Sequence, residues 1–291
     1  MKIKKVIKKI YFFGLNLFLD PFINAKGTPH INIIRQFLIS LRYRLTSFGV
    51  FLSKNEKGLS KFKNKHLNER CFIIGNGPSL NEIDLTFLKN EVTFGVNAIY
   101  TNYEKMGFYP TYYTVEDVFV AEDRAAEINN YKESWKFFGN YLKYCINNDE
   151  KCNWLNVQFK YDERTKLPNF STNALRKVWT GGTVSYLNIQ LAYYMGFSEV
   201  YLVGFDHSYS IPQDAKVEGC DILSTGDDVN HFNKDYFGKG KRWHDPMVDR
   251  MEKSYMKAKV VFEKENRKII NATEGGQLEV FERVKYSNLF L

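Results

Sequence analysis

The stretch Cys71-Phe72-Ile73-Ile74-Gly75-Asn76-Gly77-Pro78-Ser79 decides the predicted fold. Its first four residues are apolar and end at a glycine, which is typical of a short strand buried on both faces. Glycines in the loop that follows allow a backbone to approach a bound phosphate closely. We therefore predict a strand and loop in which Gly75, Asn76, Gly77 and Ser79 contact a nucleotide. The loop matches neither the full dinucleotide-binding fingerprint nor the P-loop lysine pattern.

Three further segments have the composition of buried strands, and each of them ends in polar residues. Helical patterns cover residues 183–195 and 247–265. Strands that alternate with helices predict an α/β fold, a Rossmann-like and mostly parallel sheet with helices on both faces. The three strand-like segments are Val92–Val96 before Asn97, Tyr112–Val115 before Glu116 and Asp117, and Glu199–Phe205 before Asp206 and His207.

Ligands of parallel sheets bind at the carboxyl ends of the strands. We therefore expect Asn76, Asn97, Asp117 and Asp206 to lie along one edge of the sheet. A second glycine-containing loop, Thr180-Gly181-Gly182, precedes the predicted helix 183–195. The amino end of a helix presents unpaired N–H groups to anions, so this loop is a second candidate contact for phosphate or ribose.

The positive charge of the chain is concentrated at its amino end. Residues 1–70 contain 15 Lys and Arg against 3 Asp and Glu, whereas residues 71–291 contain 26 against 30. A nucleic-acid-binding protein is expected to carry its basic surface on the folded domain. We therefore predict no nucleic-acid partner. We divide the chain into a basic, amphipathic helical extension and linker, residues 1–69, and a Rossmann-like transferase domain, residues 70–291.

The extension begins with five lysines in residues 1–10, followed by nine apolar or weakly polar residues, 11–19. A membrane-spanning helix needs about 20 apolar residues, so this stretch is too short to span. Either residues 1–50 contact the inner face of the membrane as an interfacial helix, or they pack on the domain or a partner, a second copy of the chain included. Both alternatives stay open, because residues 31–51 also have helical amphipathic spacing. We interpret the lysine-rich stretch 53–69 as a linker.

The cysteines and histidines give no metal-binding pattern. Cys71, Cys145, Cys152 and Cys220 include no CxxC pair, and the five histidines do not fall at zinc-ligand spacings from them. We predict no metal site of this kind. Free thiols are the expected state of such cysteines in a reducing cytoplasm, where we place the protein.

Several motifs in sequence order resemble the bacterial sialyltransferases of glycosyltransferase family 42. In that family the asparagine of the second strand contacts the cytidine nucleotide, and a histidine before the last helix is catalytic. The matching stretches are Ile73–Asp84, Gly95–Tyr100, Thr180–Gly182, Tyr201–Asp206 and Arg242-Trp243-His244-Asp245.

The chain is more similar to bacterial proteins of the domain of unknown function 115, which resemble MptE, the archaeal 6-hydroxymethylpterin diphosphokinase. The two resemblances together span roughly residues 71–275. The matching stretches are Gly95–Asn97, Pro110–Asp117, Gly181–Leu187, Gly204–Tyr209 and Asn271–Thr273.

The sequence departs from the sialyltransferase pattern at two places. Those enzymes hold the donor phosphate with two tyrosines six residues apart, whereas here Tyr209 is displaced by one position and Ala215 stands at the second place. In addition, Glu116 and Asp117 stand where those enzymes have a polar region with asparagine after the third strand. An acidic pair suits Mg²⁺ or an acceptor hydroxyl better than a nucleobase.

The resemblances imply a glycosyltransferase with a nucleotide-activated sugar donor, CMP-linked in the family resembled, in the synthesis of cell-surface glycans such as lipopolysaccharide or capsule. The acceptor is then a glycan or glycolipid. His244 acts as the general base and Asp206 orients the site. The nucleotide contacts are Gly75, Asn76, Gly77, Ser79, Asn97, Thr180, Gly181 and Gly182, and the phosphate or acceptor contacts are Asp117, His207 and Tyr209.

Two alternatives remain at this point. The first is an Mg²⁺-dependent diphosphokinase that acts on a pterin-like alcohol, with Asp117, Asp206 and Glu116 as metal ligands. The second is a membrane-associated scaffold without catalytic activity.

The polar stretch 210–241, which contains four glycines, is a candidate lid over the donor.

Overall fold

The computed structural model of the chain describes residues 41–42, 44–46, 48–159 and 168–291. Of the predicted membrane-contacting segment, residues 1–50, residues 1–40, 43 and 47 lie outside the described residues. Within these ranges no helix is both long enough and apolar enough to cross a bilayer.

An eight-stranded parallel sheet forms the centre of the fold, with its strands in the order β13-β12-β8-β1-β2-β3-β4-β5. A three-stranded antiparallel sheet β9-β10-β11 and a short parallel pair β6-β7 stand apart from it. The strands are β1 Arg70–Ile74, β2 Thr93–Val96, β3 Tyr112–Val115, β4 Trp135–Gly139, β5 Cys152–Leu155, β6 Val157–Gln158, β7 Val178–Trp179, β8 Glu199–Val203, β9 Lys216–Glu218, β10 Asp221–Leu223, β11 Arg242–His244, β12 Lys268–Asn271 and β13 Glu282–Arg283.

Six α-helices and several short 3-10 turns lie wholly within the described ranges, and residues 41–42 and 44–46 are helical as well. The mostly parallel sheet surrounded by helices confirms the predicted Rossmann-like α/β fold class. The helices are α1 Lys54–Ser60, α2 Tyr103–Met106, α3 Val118–Asp123, α4 Ala125–Asn130, α5 Val184–Met195 and α6 Val248–Glu263.

Both faces of the sheet are buried, as the apolar sequence of β1 predicts. Phe72 stacks on Tyr201 of the neighbouring strand at 5.2 Å and on Phe290 at 5.9 Å. Phe94 pairs in register with Ile73, so it lies on the opposite face, where its ring is 4.9 Å from that of Tyr112. Successive side chains of a strand point to opposite faces, and here each face has its own aromatic layer.

Helix α5 is buried along nearly its whole length. Thr183 caps its amino end by accepting a hydrogen bond from the Ser185 amide, and Gly196, in the left-handed conformation, ends it. All residues from Ser185 to Met195 are buried. Most of its residues are apolar, and its polar residues Ser185, Asn188 and Gln190 are buried as well. A helix buried on every side belongs in a core, and α5 packs against β1, β2 and β3. This contact fixes the position of its amino end at the edge of the sheet.

Residues 53–69, which we interpreted as a linker, pack on the domain. Helix α1 begins with a capping box between Ser53 and Glu56. Leu59 and Phe62 are buried in the main core, and the Asn64 amide donates to the carbonyl of Tyr194. The lysine-rich composition of residues 53–69 masks their apolar pattern, because the residues that contact the core are few and widely spaced in the sequence.

We expect Gly75→Ala to lower the free energy of unfolding by about 2 to 3 kcal/mol, the upper part of the usual range for overpacking. A Cβ atom at Gly75 would lie 2.3 Å from the carbonyl oxygen of Gly204, and both groups are backbone, so neither can rotate away. Urea unfolding measures the change. Gly226→Ala is the matched control, because its Cβ meets nothing closer than 3.7 Å. Equal midpoints for the two variants would contradict the expectation.

Candidate functional site

A cleft opens at the carboxyl edge of the sheet, between the ends of β1 and β8. Strand order reverses there, since β2 to β5 follow on one side of β1, whereas β8, β12 and β13 lie on the other. Parallel α/β sheets bind ligands at such a switch point. The cleft holds about 540 Å³ of empty space, part of it open to solvent, and the loops after β1, β2 and β8 and the amino end of α5 contribute to its walls.

The glycine-rich loop after β1 lies against the extension of β8. The Gly75 amide donates to the carbonyl of Val203 at 2.8 Å, and the Gly77 amide donates to that of Gly204 at 3.0 Å. These two N–H groups are therefore used within the backbone. The glycines permit the close approach of two chain segments, and Asn76 is the residue of the loop whose side chain lines the cleft.

Asp206 holds this loop in place. Its carboxylate accepts hydrogen bonds from the Ser79 hydroxyl at 2.7 Å and from the Ser79 amide at 3.2 Å. A Cβ atom at Gly77 would overlap this carboxylate, 1.7 Å from Oδ2. Asp206 lines the cleft, and its observed contacts position the loop. Its catalytic role stays a prediction, as does nucleotide binding by Ser79.

Two asparagines place unpartnered oxygen atoms at the cleft. Asn76 donates from Nδ2 to the carbonyl of Val96 at 3.2 Å and to the hydroxyl of Tyr236 at 2.7 Å, which fixes the orientation of its amide. Its Oδ1 atom is buried and has no hydrogen-bond partner within the described residues, and the same is true of Asn97 Oδ1. A buried acceptor without a partner is costly, so these atoms are suited to a ligand that brings donors.

Asn97 also has a special backbone conformation. Its φ of 51° lies in the left-handed region, which asparagine tolerates better than most residues. Its amide donates to the carbonyl of Thr114 at 3.0 Å, and its carbonyl accepts from the Tyr113 hydroxyl. The neighbouring strand β3 thus fixes the turn that presents the Asn97 side chain.

Part of the polar stretch 210–241, our candidate lid, forms one wall of the cleft. It contains β9 and β10, and its residues Asn230, His231 and Tyr236 line the cleft. The Phe232 amide donates to the carbonyl of Asn76 at 2.8 Å. We did not identify these residues as site candidates from the sequence. The only signal was the cluster of aromatic residues within an otherwise polar segment.

The predicted loop Thr180–Gly182 is not among the residues that line the cleft, whereas the three residues that follow it are. Thr183, Val184 and Ser185, at the amino end of α5, are the lining residues. Thr180 Oγ1 is buried without a partner within the described residues. Ligand contacts of Thr180, Gly181 and Gly182 stay predictions.

His207 and Tyr209 follow Asp206 and both line the cleft. His207 has a φ of 54°, and its Nε2 atom lies 3.4 Å from Oε1 of Glu252. Burial lowers the pKa of His207, although Glu252 acts in the opposite direction. The His207 side chain is therefore a neutral imidazole at neutral pH.

Asp117 and His244 form a pair that is not among the lining residues. The Asp117 carboxylate caps α3 by accepting from the Phe119 amide at 2.7 Å, and it contacts His244 Nδ1 at 2.6 Å. The hydrogen bond to Asp117 raises the pKa of His244 against an opposing effect of burial. The His244 ring stacks on Phe119 at 4.3 Å. Its role as general base stays a prediction.

Glu116, the residue before Asp117, is a half-buried acid whose Oε2 atom is buried. Burial and the nearby charge of Asp117 raise the pKa of Glu116 to about 8, against the effect of Arg250. Its Oε2 atom has no hydrogen-bond partner within the described ranges. Glu116 is thus mostly protonated at neutral pH.

The charge of the cleft wall is low. Its ionisable lining residues, tyrosines aside, are Asp206, His207 and His231, and no Lys or Arg is among the residues that line it. In the part of the chain that the structure describes, no group of three or more His, Cys, Asp and Glu side chains converges in a metal-binding arrangement. Of the three predicted magnesium ligands, Asp206 lines the cleft, whereas Asp117 and Glu116 do not.

Comparison with known proteins gives one family and one solved structure. The family model described as 6-hydroxymethylpterin diphosphokinase MptE-like matches residues 49–212. The structure of the MAf glycosyltransferase from Magnetospirillum magneticum AMB-1 is similar over 88% of this chain, with 15% sequence identity and a TM-score of 0.47. The similar region is 43% of that longer chain. No curated protein sequence matches significantly.

The Asp117–His244 pair predicts a pH-dependent contribution to stability. The pKa of His244 is raised in the folded state. The contribution of the pair to stability is therefore fully present below about pH 6.5, the ordinary pKa of histidine, and is lost as the pH rises through the raised pKa of the folded state. We expect the difference in unfolding free energy between the wild type and His244→Asn to shrink as the pH rises above about 6.5. Urea unfolding at several pH values measures it.

Asp117→Asn serves as the second arm of this measurement, because an asparagine oxygen can still cap α3. In that background, the effect of His244→Asn should no longer change with pH in this range. A difference between wild type and His244→Asn that grows with rising pH would contradict the assignment.

Proposed function

We propose that this chain, which belongs to the 6-hydroxymethylpterin diphosphokinase MptE-like family, is a glycosyltransferase that transfers a sugar from a nucleotide-activated donor. In this proposal the nucleotide binds in the cleft between β1 and β8. The contacts we assign to it are Asn76 and Asn97, with Gly75, Gly77 and Ser79 shaping the loop beneath it.

The observation that carries the proposal is the pair of unpartnered side-chain oxygens, Asn76 Oδ1 and Asn97 Oδ1. Both are acceptors, and a buried acceptor is satisfied only by a donor. Ribose hydroxyls and exocyclic amino groups of a nucleoside are such donors, whereas a phosphate has only acceptor oxygens when it is ionised. This end of the cleft therefore suits the nucleoside part of a nucleotide.

The amino end of α5 suits the phosphate part. Thr183 and Ser185 bring hydroxyl groups there, and the first amides of a helix favour an anion through their partial positive charge. A phosphate at this position would also be near His207 and Tyr209, which line the same cleft.

The charge of the cleft favours a donor with few negative charges. A nucleoside triphosphate requires positive charge to neutralise it during phosphoryl transfer, and neither Lys nor Arg lines the cleft wall. A CMP-linked sugar has a single phosphodiester at the bond that breaks. We therefore favour a CMP-linked sugar as the donor.

We further propose that the acceptor is a glycan or glycolipid of the cell surface, of the lipopolysaccharide or capsule type. The five lysines in residues 1–10 support this part, because a basic segment attracts an enzyme to an anionic membrane surface on which lipid-linked acceptors are found. On this proposal the protein works in the cytoplasm, at the inner face of the membrane.

A second candidate is an Mg²⁺-dependent diphosphokinase that acts on a pterin-like alcohol, which the description of the matching family favours. Magnesium at phosphoryl-transfer sites is held by one or two carboxylates together with the substrate phosphates. Asp206 is the carboxylate of the cleft wall, and it would be the protein ligand. The metal would neutralise the phosphates.

A thermal-shift screen of CMP, UDP, GDP and ATP, each with and without Mg²⁺, separates the two candidates. We expect CMP to stabilise the protein without metal, by about 2.7 kcal/mol at a concentration 100 times its dissociation constant. Stabilisation by ATP that requires Mg²⁺, with none by CMP, would instead support the diphosphokinase.

We expect Asn97→Gly to weaken CMP binding about tenfold, which corresponds to the loss of roughly 1.4 kcal/mol. Glycine tolerates the positive φ of this position, so only the amide group is removed. Isothermal titration calorimetry measures the dissociation constant. Asn102→Ala is the control, because Asn102 is also buried with an unpartnered side-chain atom, Nδ2, but does not line the cleft. An unchanged constant for Asn97→Gly would count against the proposed site.

A further inference from the structure

The ring of His231 is held rigidly at the wall of the cleft. It stacks on Tyr236 with ring centroids 4.1 Å apart and an interplanar angle of 7°, and the edge of Phe237 contacts it at 5.1 Å. Tyr236 is itself buried, and its hydroxyl accepts from Asn76 Nδ2. The imidazole plane is therefore fixed relative to the asparagine of the β1 loop.

A buried carboxylate orients this imidazole. Asp228 Oδ2 lies 2.7 Å from His231 Nδ1, and its side chain is only 3% exposed. The amides of Asn230 and Phe237 also donate to Asp228, at 2.8 and 2.9 Å. Burial acts against ionisation, but these hydrogen bonds lower the pKa of Asp228 below its usual value. An ionised carboxylate can only accept, so the Nδ1 atom of His231 bears a proton.

The other ring nitrogen of His231 is then free to accept a proton. His231 lines the cleft, and its Nε2 atom has no hydrogen-bond partner within the described residues. Two other histidines differ in their surroundings. The Nε2 atom of His207 also has no hydrogen-bond partner within the described residues, but it is buried and lies 3.4 Å from Oε1 of Glu252. His244, whose Nε2 lies 3.6 Å from Asp221, is not a lining residue.

We propose that His231, oriented by Asp228, is the catalytic base of the cleft, and that its Nε2 atom takes the proton from the acceptor hydroxyl. The arrangement of a buried carboxylate, an imidazole and a free ring nitrogen that faces the substrate is the one that activates hydroxyl groups in other enzymes. The inference rests on the proposed function, in that the acceptor is an alcohol or water.

In this step the acceptor oxygen forms a bond to the anomeric carbon of the donor sugar while its proton moves to His231 Nε2. The bond between that carbon and the phosphate oxygen breaks, and its electron pair stays on the phosphate of the released nucleotide. The imidazolium, which Asp228 stabilises, then gives its proton to the phosphate or to solvent. Asp228 is a positioning residue in this scheme.

The test uses the full chain with CMP-linked sialic acid as donor and water as acceptor, and it measures the release of CMP. We expect His231→Asn to lower kcat about 10² to 10⁴-fold, the usual contribution of a general base, while the thermal shift caused by CMP is retained. Added imidazole should restore part of the turnover of His231→Gly. This rescue would not occur if the ring served only to support the fold.

Asp228→Asn tests the orienting role through the separation of kcat from KM. Without the carboxylate the imidazole loses the acceptor that orients Nδ1, so kcat should fall about 10²-fold while KM and the thermal shift caused by CMP stay those of the wild type. A carboxylate with a purely structural role would lower the melting temperature of the variant and leave kcat unchanged.

His66→Asn is the matched control. His66 also pairs with a carboxylate, Glu69, at 2.8 Å and stacks on an aromatic ring, Phe197, at 4.7 Å, but it does not line the cleft. The turnover of the His66→Asn variant should equal that of the wild type. Full turnover by His231→Asn, or loss of turnover by His244→Asn alone, overturns the assignment to His231. A wild type that releases no CMP overturns the proposed function itself, and the assignment with it.

Discussion

The backbone contact between the loop after β1 and the extension of β8 is the constraint on which the site depends. Gly75 and Gly204 approach so closely that a Cβ atom at Gly75 would lie 2.3 Å from the Gly204 carbonyl oxygen. Two backbone hydrogen bonds join the loop to the end of β8. The Asp206 carboxylate also accepts a hydrogen bond from the Ser79 hydroxyl, and these contacts hold the two segments together. The cleft exists because the connections from β1 and β8 leave on opposite sides of this contact.

This constraint changes what the glycine-rich loop can do. In a phosphate-binding loop the backbone amides face the anion, whereas here the amides of Gly75 and Gly77 donate to neighbouring carbonyls. The chemistry of the site therefore comes from side chains: the amide oxygens of two asparagines at one end and the hydroxyl groups at the start of α5 at the other. Buried unpartnered acceptors lower stability, and their presence at one cleft is explained by a ligand that satisfies them.

Two of the carboxylate–imidazole pairs of the domain, Asp117–His244 and Asp228–His231, differ in their surroundings. Asp117 and His244 lie after β3 and on β11, and the carboxylate also caps α3. Asp228 and His231 lie in the segment that closes over the β1 loop, and their carboxylate is far more deeply buried. Asp228 also accepts hydrogen bonds from two backbone amides, which hold its carboxylate in one orientation toward the ring. The environment of the pair, more than its composition, therefore distinguishes a proton acceptor at the site from a structural contact at its margin.

The sequence by itself determined the fold class and the edge of the sheet at which the cleft opens. The run Cys71–Ile74 is apolar at every position, so it had to be a strand buried on both faces, and the alternation with helices implied a parallel sheet. Polar residues at strand ends are a local signal, so Asn76, Asn97 and Asp206 were identifiable without coordinates. Only the tertiary structure decided the rest. It brought His231 and Tyr236, about 160 residues beyond Asn76, onto the cleft, and it left His244 outside the lining. No periodicity in a polar loop encodes such a contact, because its position is set by packing against distant strands and not by its own residues.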